Sequence, residues 1–344
     1  MSENNTKRTE LGELGEFALI DRLTKDFSAK NKSTLKGVGD DAAVIDNAGF
    51  ETLVSTDLFL EGIHFDLAYM PLQHLGYKSV IINLSDIYAM NAIPEQITIS
   101  LGISNRFSVE ALEQFYEGVQ QACKKYNVDL VGGDTTSSLK GLIISVTAIG
   151  KAKKEDITYR TGAKEGDIVC VTGDLGAAFM GLQILNREKE VYAHNAEIQP
   201  DLSEHKYLVG RQLKPEANVA LIKYFAENDI KPTSMIDVSD GLSSEVLHIA
   251  KQSDVGFQIF DANLPISKEV FDQAIALNID PMMCALSGGE DYELLFTIDP
   301  KDEAKLNEDE IDFTVIGKVI NKEEGCYITT SSNNNHKLIA QGWK

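Results

Sequence analysis

The sequence predicts a two-domain α/β protein of the α+β type, and three observations carry that expectation. Helical and strand-like apolar periodicities alternate along the chain, and its 344 residues exceed what one ordinary compact domain needs. A polar, charged break at Lys151–Glu155 separates two such series, so the domains are expected at 1–150 and 151–344.

The first series opens with Leu14, Phe17, Ala18 and Leu23 at helical spacing. Strands are expected at Ala42–Ile45 and Thr52–Ser55, flanking a turn at Asn47–Gly49. Leu75, Val80, Leu84 and Ile87 give Pro71–Asn91 the apolar side of a long helix. A strand at Gln96–Leu101, a helix at Val109–Tyr126, a strand at Val128–Val131 and a β-branched strand at Leu142–Ile149 follow. The second series runs from a strand at Asp167–Thr172 through helices at Leu175–Leu185 and Ala217–Glu227. It continues with a strand at Met235–Val238, a helix at Leu242–Lys251 and strands at Gly256–Phe260, Tyr292–Ile298 and Phe313–Val319. Glu188–Leu202 is polar and without period, so it reads as an irregular surface excursion.

Charge restricts the partners. With 53 acidic against 32 basic residues and a formal charge of −21, the chain has no basic stripe to hold a nucleic-acid backbone. The same charge repels free polyphosphate, so a phosphate site here requires metal ions as the bridge. Cys123, Cys170, Cys284 and Cys326 lie far apart, and neither they nor the six histidines show zinc-ligand spacing. Without a signal peptide or long apolar span, this reads as a reduced, cytoplasmic protein.

Carboxylates that such a bridge needs recur in segments rich in glycine or serine. These are Gly37-Val-Gly-Asp-Asp41, Ser55-Thr-Asp57, Asn83-Leu-Ser-Asp86, Gly132-Gly-Asp-Thr-Thr136 and Asp237-Val-Ser-Asp-Gly241, read as short turns. Hard carboxylate oxygens beside exposed backbone N–H groups suit Mg²⁺ against polyphosphate. Any one segment alone is more plainly an Asx-turn or a helix cap. Asp86 is the sharpest case, because a carboxylate within an apolar helix needs a cation or several donors; a buried lysine such as Lys78 is the plainer partner. The glycines after Val128–Val131 would let backbone approach a ligand, and Ser239 with the following helix start could face phosphate. Ser287-Gly-Gly-Glu-Asp-Tyr-Glu293 adds a dense acidic stretch that a surface bulge alone does not explain.

Taken in order, these motifs resemble the thiamine-monophosphate kinase family. The match runs through Gly-Val-Gly-Asp-Asp-Ala-Ala, Ser-Thr-Asp with His64 seven residues on, Asn-Leu-Ser-Asp-Ile-Tyr-Ala-Met, Gly-Gly-Asp-Thr-Thr, Asp-Val-Ser-Asp-Gly-Leu and Ser-Gly-Gly-Glu-Asp-Tyr-Glu-Leu. It spans residues 37 to 293, with Gly342-Trp343 beyond. The resemblance implies a fold like that of aminoimidazole ribonucleotide synthetase: an N-terminal mixed sheet with helices that binds ATP and Mg²⁺ and forms a homodimer, and a C-terminal α/β domain that completes the nucleotide and substrate site. It implies ATP-dependent phosphorylation of thiamine monophosphate to thiamine diphosphate. Asp41, Ser55, Thr56, Asp57, Asp86, Asp134, Asp237 and Asp240 would hold several Mg²⁺ ions. Tyr116, Gly133, Asp134, Arg160 and Ser239 would contact ATP, and His64, Glu290 and Trp343 would face the thiamine phosphate.

The residue types fit such a reaction on their own terms. A phosphate monoester is already largely ionised near pH 7, because its second pKa is about 6, so no residue is needed as a general base. Neither a G-x-x-x-x-G-K-[ST] loop nor a protein-kinase catalytic loop is present. Two relatives in fold use cysteines: selenophosphate synthetase near its N-terminus, the hydrogenase-maturation dehydratase at its C-terminus. Here the first cysteine is Cys123 and the chain closes on Gly-Trp-Lys. A non-catalytic Mg²⁺- or nucleotide-binding module is the reading from a different class, and it predicts binding without turnover.

Overall fold

The computed structural model describes residues 19, 22–36, 44–45, 47, 49–195, 202–307 and 309–340. The chain divides into two compact units, one reaching Ile87 and resuming over Ile93–Ala152, the other formed by Tyr88–Ala92 with the chain from Lys153 onward.

In the first unit, β1 (Thr34–Lys36) and β2 (Val44–Ile45) form a small antiparallel pair. The main sheet holds β3 (Glu51–Leu60), β4 (Ile93–Ile103), β5 (Asp129–Ser137) and β6 (Leu142–Ala152) in the order β3-β6-β4-β5. It is mixed, with β4 and β5 parallel and the other neighbours antiparallel. Strict alternation of buried and half-buried positions along β6 gives the sheet one inner face. Helix α1 (Leu72–Ala89) lies on that face, where Asn83 accepts from the Asp57 N–H at 3.0 Å. Helix α2 (Val109–Tyr126) is opened by Ser108, which accepts from the Ala111 N–H, and is closed by Asn127 in the left-handed region. The two helices approach backbone to backbone. A Cβ on Gly76 would lie 1.9 Å from the Phe115 carbonyl oxygen, and one on Gly118 would lie 1.8 Å from that of Gln73. Asp129 ties the N-terminal segment to this sheet by accepting from the Lys30 and Asn31 amides and the Thr34 hydroxyl. The opposite face of the sheet is open, with Val54 64% and Leu58 54% exposed.

The second unit is built on a seven-stranded sheet of β7 (Ile168–Thr172), β8 (Ser234–Asp237), β9 (Gly256–Phe260), β10 (Leu294–Ile298), β11 (Phe313–Ile320), β12 (Cys326–Thr329) and β13 (Asn335–Lys337). Their order is β13-β12-β9-β11-β7-β10-β8, and only β12 and β9 run parallel. Its helices are α3 (Ala177–His194), α4 (Lys206–Leu213), α5 (Val219–Glu227), α6 (Leu242–Ser253), α7 (Lys268–Ala276) and α8 (Pro281–Ser287). Val169, Val171, Ile236, Val246, Phe257 and Leu295 anchor one continuous apolar core. Burial of such side chains stabilises by about 1.5–3 kcal/mol each.

Several expected boundaries move. Gly132–Thr136 does not follow a strand; it is the body of β5, paired with β4 from Thr98 to Gly102, with a register shift beside Ile97. Ser55–Asp57 likewise lies inside β3 and not on a turn, whereas Asp86 stands inside α1, the helix expected at Pro71–Asn91. Backbone pairing on a sheet overrides the turn preference of glycine and aspartate. Glu188–His194 is not irregular but continues α3, because Glu, Lys and Arg are good helix formers and an exposed terminal turn needs no apolar period. The short helices α4, α7 and α8 and strands β1, β12 and β13 were not anticipated. Leu14, Phe17 and Ala18 lie outside the described residues.

Candidate functional site

In the first unit, β3 and α1 bring three expected metal ligands together, Ser55, Asp57 and Asp86. Alternation along β3 turns Ser55 and Asp57 toward α1, where Ser55 Oγ donates to Asp86 Oδ2. The Asp57 carboxyl is pushed up to about 6, first by burial and then by the negative charge of Asp86. Two carboxylates that repel each other beside a hydroxyl form a hard-oxygen donor set that a divalent cation would relieve. Thr56 faces the other way: its hydroxyl donates to the Val146 carbonyl at 2.9 Å and accepts from Thr147 at 3.0 Å, on the open face. Its side chain is therefore separated from the Asp57–Asp86 pair by the strand itself.

Asp134, on β5, is exposed and registers opposite Ser100 of β4, while Asp57 registers opposite the buried Val146. Gly133 has a structural demand of its own, since a Cβ there would lie 1.8 Å from the Ile99 carbonyl oxygen. Tyr116 on α2 is buried, with its phenol pushed up to about 12 by that burial, and it meets the Phe27 ring edge-on at 6.4 Å. Beside it opens a cavity of about 290 Å³, also lined by Arg22, Lys25, Phe27 and Gln120. Asp26, Glu113 and Glu117 line it as well, and Arg22 is paired with Glu113, so the cavity sets aromatic edges among charges of both signs. His64 is exposed, accepts from the Leu60 N–H through Nδ1 at 3.0 Å and rests against the Phe59 ring.

In the second unit, Asp237 ends β8 and is buried, and Ser239 and Asp240 precede α6. Gly241 has φ +110°, and a Cβ there would crowd Leu286 and Ser287, so the turn into the helix requires glycine. Next to Ser239, an amide of the turn is engaged internally: Glu245, in the first turn of α6, accepts from the Asp240 N–H at 2.9 Å. Burial pushes Glu245 up to about 7; Asp240 raises it further, while its own amide bond and Arg160 oppose the rise. Arg160 thus lies within electrostatic reach of this acidic turn.

The loop Gly288–Glu293 is laced to that same turn. Glu290 N–H donates to the Ser239 carbonyl at 2.7 Å, and Tyr292 N–H to that of Val238 at 2.9 Å. Glu290 and Tyr292 both hold positive φ, +60° and +53°, uncommon for residues with a Cβ. Asp291 is wholly buried and accepts from the Gly176 and Ala178 amides, capping α3 from 115 residues away. Its carboxyl is pushed up to about 7 by burial, against the pull of Arg211 and those amides. Glu293 accepts from Thr172 at 2.6 Å and from Arg211 at 2.8 Å, and Gln212 Nε2 donates to Glu290 Oε2 at 2.8 Å.

Asp41 and Trp343 lie outside the described residues. Among the described residues no three acids, histidines or cysteines gather into a metal-sized cluster, and none of the helices is long and apolar enough to cross a membrane. Glu245, Arg211 and Gln212 were missed as contributors. Only Glu245 left a signal, an acid placed one turn inside a helix that follows a Ser-Asp-Gly start.

Comparison with known proteins places these features in a family. Residues 39–152 match the AIR synthase related protein, N-terminal domain, and residues 164–328 the C-terminal domain of the same description. A thiamine-monophosphate kinase of Aquifex aeolicus is 35% identical over 97% of this chain and 99% of its own length. The chain belongs to the thiamine-monophosphate kinase family. Another thiamine-monophosphate kinase, from Bacillus subtilis, is 32% identical over 96% of this chain and 99% of its own. A solved structure described as AaThiL complexed with AMPPCP and TMP superposes with a TM-score of 0.75 at 32% identity, covering 98% of each chain. The two-domain fold with mixed sheets is thus the fold of thiamine-monophosphate kinases.

Proposed function

We propose that this chain phosphorylates thiamine monophosphate to thiamine diphosphate, by direct in-line transfer of the terminal phosphoryl group of ATP. The observation that carries the reading is the Asp57–Asp86 pair beside Ser55, a hard-oxygen donor set in a chain of the thiamine-monophosphate kinase family. Asp57, Asp86 and Ser55, with Asp41, Thr56, Asp134, Asp237 and Asp240, are proposed to hold several Mg²⁺ ions, Thr56 through an atom other than its hydroxyl, which lies on the open face. Bound there, Mg²⁺ supplies charge neutralisation between two phosphates that otherwise repel.

The chain's own residues orient the reactants. Arg160 adds a fixed positive charge near the Ser239–Asp240 turn, and Gly133 and Asp134 contact the nucleotide. The cavity beside Tyr116 receives the adenine ring. His64, Glu290 and Trp343 face thiamine monophosphate, whose cationic thiazolium is attracted by a carboxylate and by an aromatic face. No side chain acts as a general base, because the accepting phosphate oxygen is already ionised.

The open sheet face that carries Val54 and Leu58 supports a homodimer through the N-terminal units. A cytoplasmic location suits an ATP-dependent enzyme whose four cysteines are free. The deciding experiment is ADP release with and without thiamine monophosphate. Release that depends on thiamine monophosphate supports the kinase; nucleotide binding without release supports a binding module. Trapping a phosphorylated aspartate on a productive time course overturns direct transfer.

A further inference from the structure

We propose that Gln212 is a positioning residue for the substrate, holding the Glu290 carboxylate in the orientation in which it meets the thiazolium cation. This rests on the assignment of Glu290 to thiamine monophosphate made above.

Helix α4 delivers two consecutive side chains to the Gly288–Glu293 loop, and they do different work. Arg211 acts on the frame. Its guanidinium donates to Glu293 at 2.8 Å and to the Asp174 carbonyl at 3.1 Å, and stands 4.0 Å from Asp291. With the Glu290 and Tyr292 amides also bonded to Ser239 and Val238, the loop backbone is fixed without Gln212. Gln212 instead reaches the one side chain of this loop that remains half-buried, Glu290.

Gln212 is itself only 3% exposed, so its bond to Glu290 is not freely exchanged for one to water. A buried neutral donor on one carboxylate oxygen has two effects. It limits the rotation of a flexible carboxylate on a three-bond stem, and it leaves the charge intact, as an arginine at the same place would not. A binding carboxylate for a cation needs both. The left-handed backbone at Glu290 agrees, since an uncommon conformation is retained where the surroundings hold a side chain to a particular direction.

The test compares the full-length wild type, Gln212→Met, Glu290→Gln and the double variant. The readings are KM for thiamine monophosphate, KM for ATP, kcat and the thermal midpoint. Methionine keeps the length and burial of Gln212 and removes the donor. The expected result is a rise of about tenfold in KM for thiamine monophosphate in Gln212→Met, with KM for ATP unchanged. In the Glu290→Gln background the same substitution should add no further rise, because nothing charged remains to be oriented. If Glu290→Gln raises KM and Gln212→Met does not, the role of Gln212 is overturned and that of Glu290 stands. If Glu290→Gln leaves KM unchanged, the substrate assignment of Glu290 falls and the proposal falls with it. Equal rises of both KM values with a lowered thermal midpoint, additive in the double variant, would make Gln212 a packing residue and overturn the proposal as well.

Discussion

Two carboxyls with raised pKa values, the half-buried Asp57 and the buried Asp291, lead to opposite kinds of prediction. Asp57 is held near 6 by burial and by Asp86, so near pH 7.5 without metal the fold contains two repelling charges. Asp57→Asn should therefore leave the thermal midpoint in chelator unchanged or higher, while cutting turnover at limiting Mg²⁺ on the order of a hundredfold. Wild-type turnover in that variant would remove Asp57 from the metal set. Asp291 is pushed up to about 7 from an ordinary value of 3.8. Because the folded state holds its proton more tightly than the unfolded chain, this group contributes stability that is full below about 4 and is lost as pH rises through about 7. Urea unfolding of wild type and Asp291→Asn from pH 4 to 8 should show that decline in the first and a flatter profile in the second. Parallel profiles would mean that Asp291 is ionised throughout, kept so by Arg211 and the α3 amides.

Close approach of helices sets the sharpest stability prediction among the elements. A methyl group on Gly118 would meet the Gln73 carbonyl at 1.8 Å, with backbone on both sides, so α1 and α2 would have to separate. Gly118→Ala should cost about 1–3 kcal/mol or more in denaturant unfolding. Gly210→Ala, within α4 and facing open space, should be neutral or stabilise by up to about 1 kcal/mol. A neutral Gly118→Ala would mean that the crossing is looser than described. The same contrast explains what was legible in the sequence. Val109–Tyr126 agrees to its ends with the helix observed, where the Ser108 cap and Lys124 and Lys125 in the last turn mark the same bounds as the local sequence. Gly132–Thr136 was misread because glycine and aspartate signal a turn locally, whereas the pairing with β4 that makes them a strand is non-local. Motif acids such as Asp57 and Asp86 could be named from residue type. Glu245, Arg211 and Gln212 could not, because their roles are bonds to amides and carboxylates brought near only by folding.

For the whole molecule, the open sheet face and the net charge each lead to a measurement. Leu58→Glu places a charge on the face assigned to the dimer, and sedimentation should then show monomers at concentrations where the wild type is dimeric. A monomeric wild type would discard that interface. The charge of −21 bears on how a polyphosphate binds at all. If metal is the bridge, ATP titrated calorimetrically in chelator should bind at least a hundredfold more weakly than with Mg²⁺. Salt alone should not restore it: shortening the Debye length from about 8 Å at physiological ionic strength to about 3 Å at 1 M removes repulsion but creates no coordination. Recovery with added Mg²⁺ at constant ionic strength completes the comparison. Tight binding in chelator, or recovery by monovalent salt, would mean that repulsion was the whole difficulty and that the aspartates serve something other than the nucleotide.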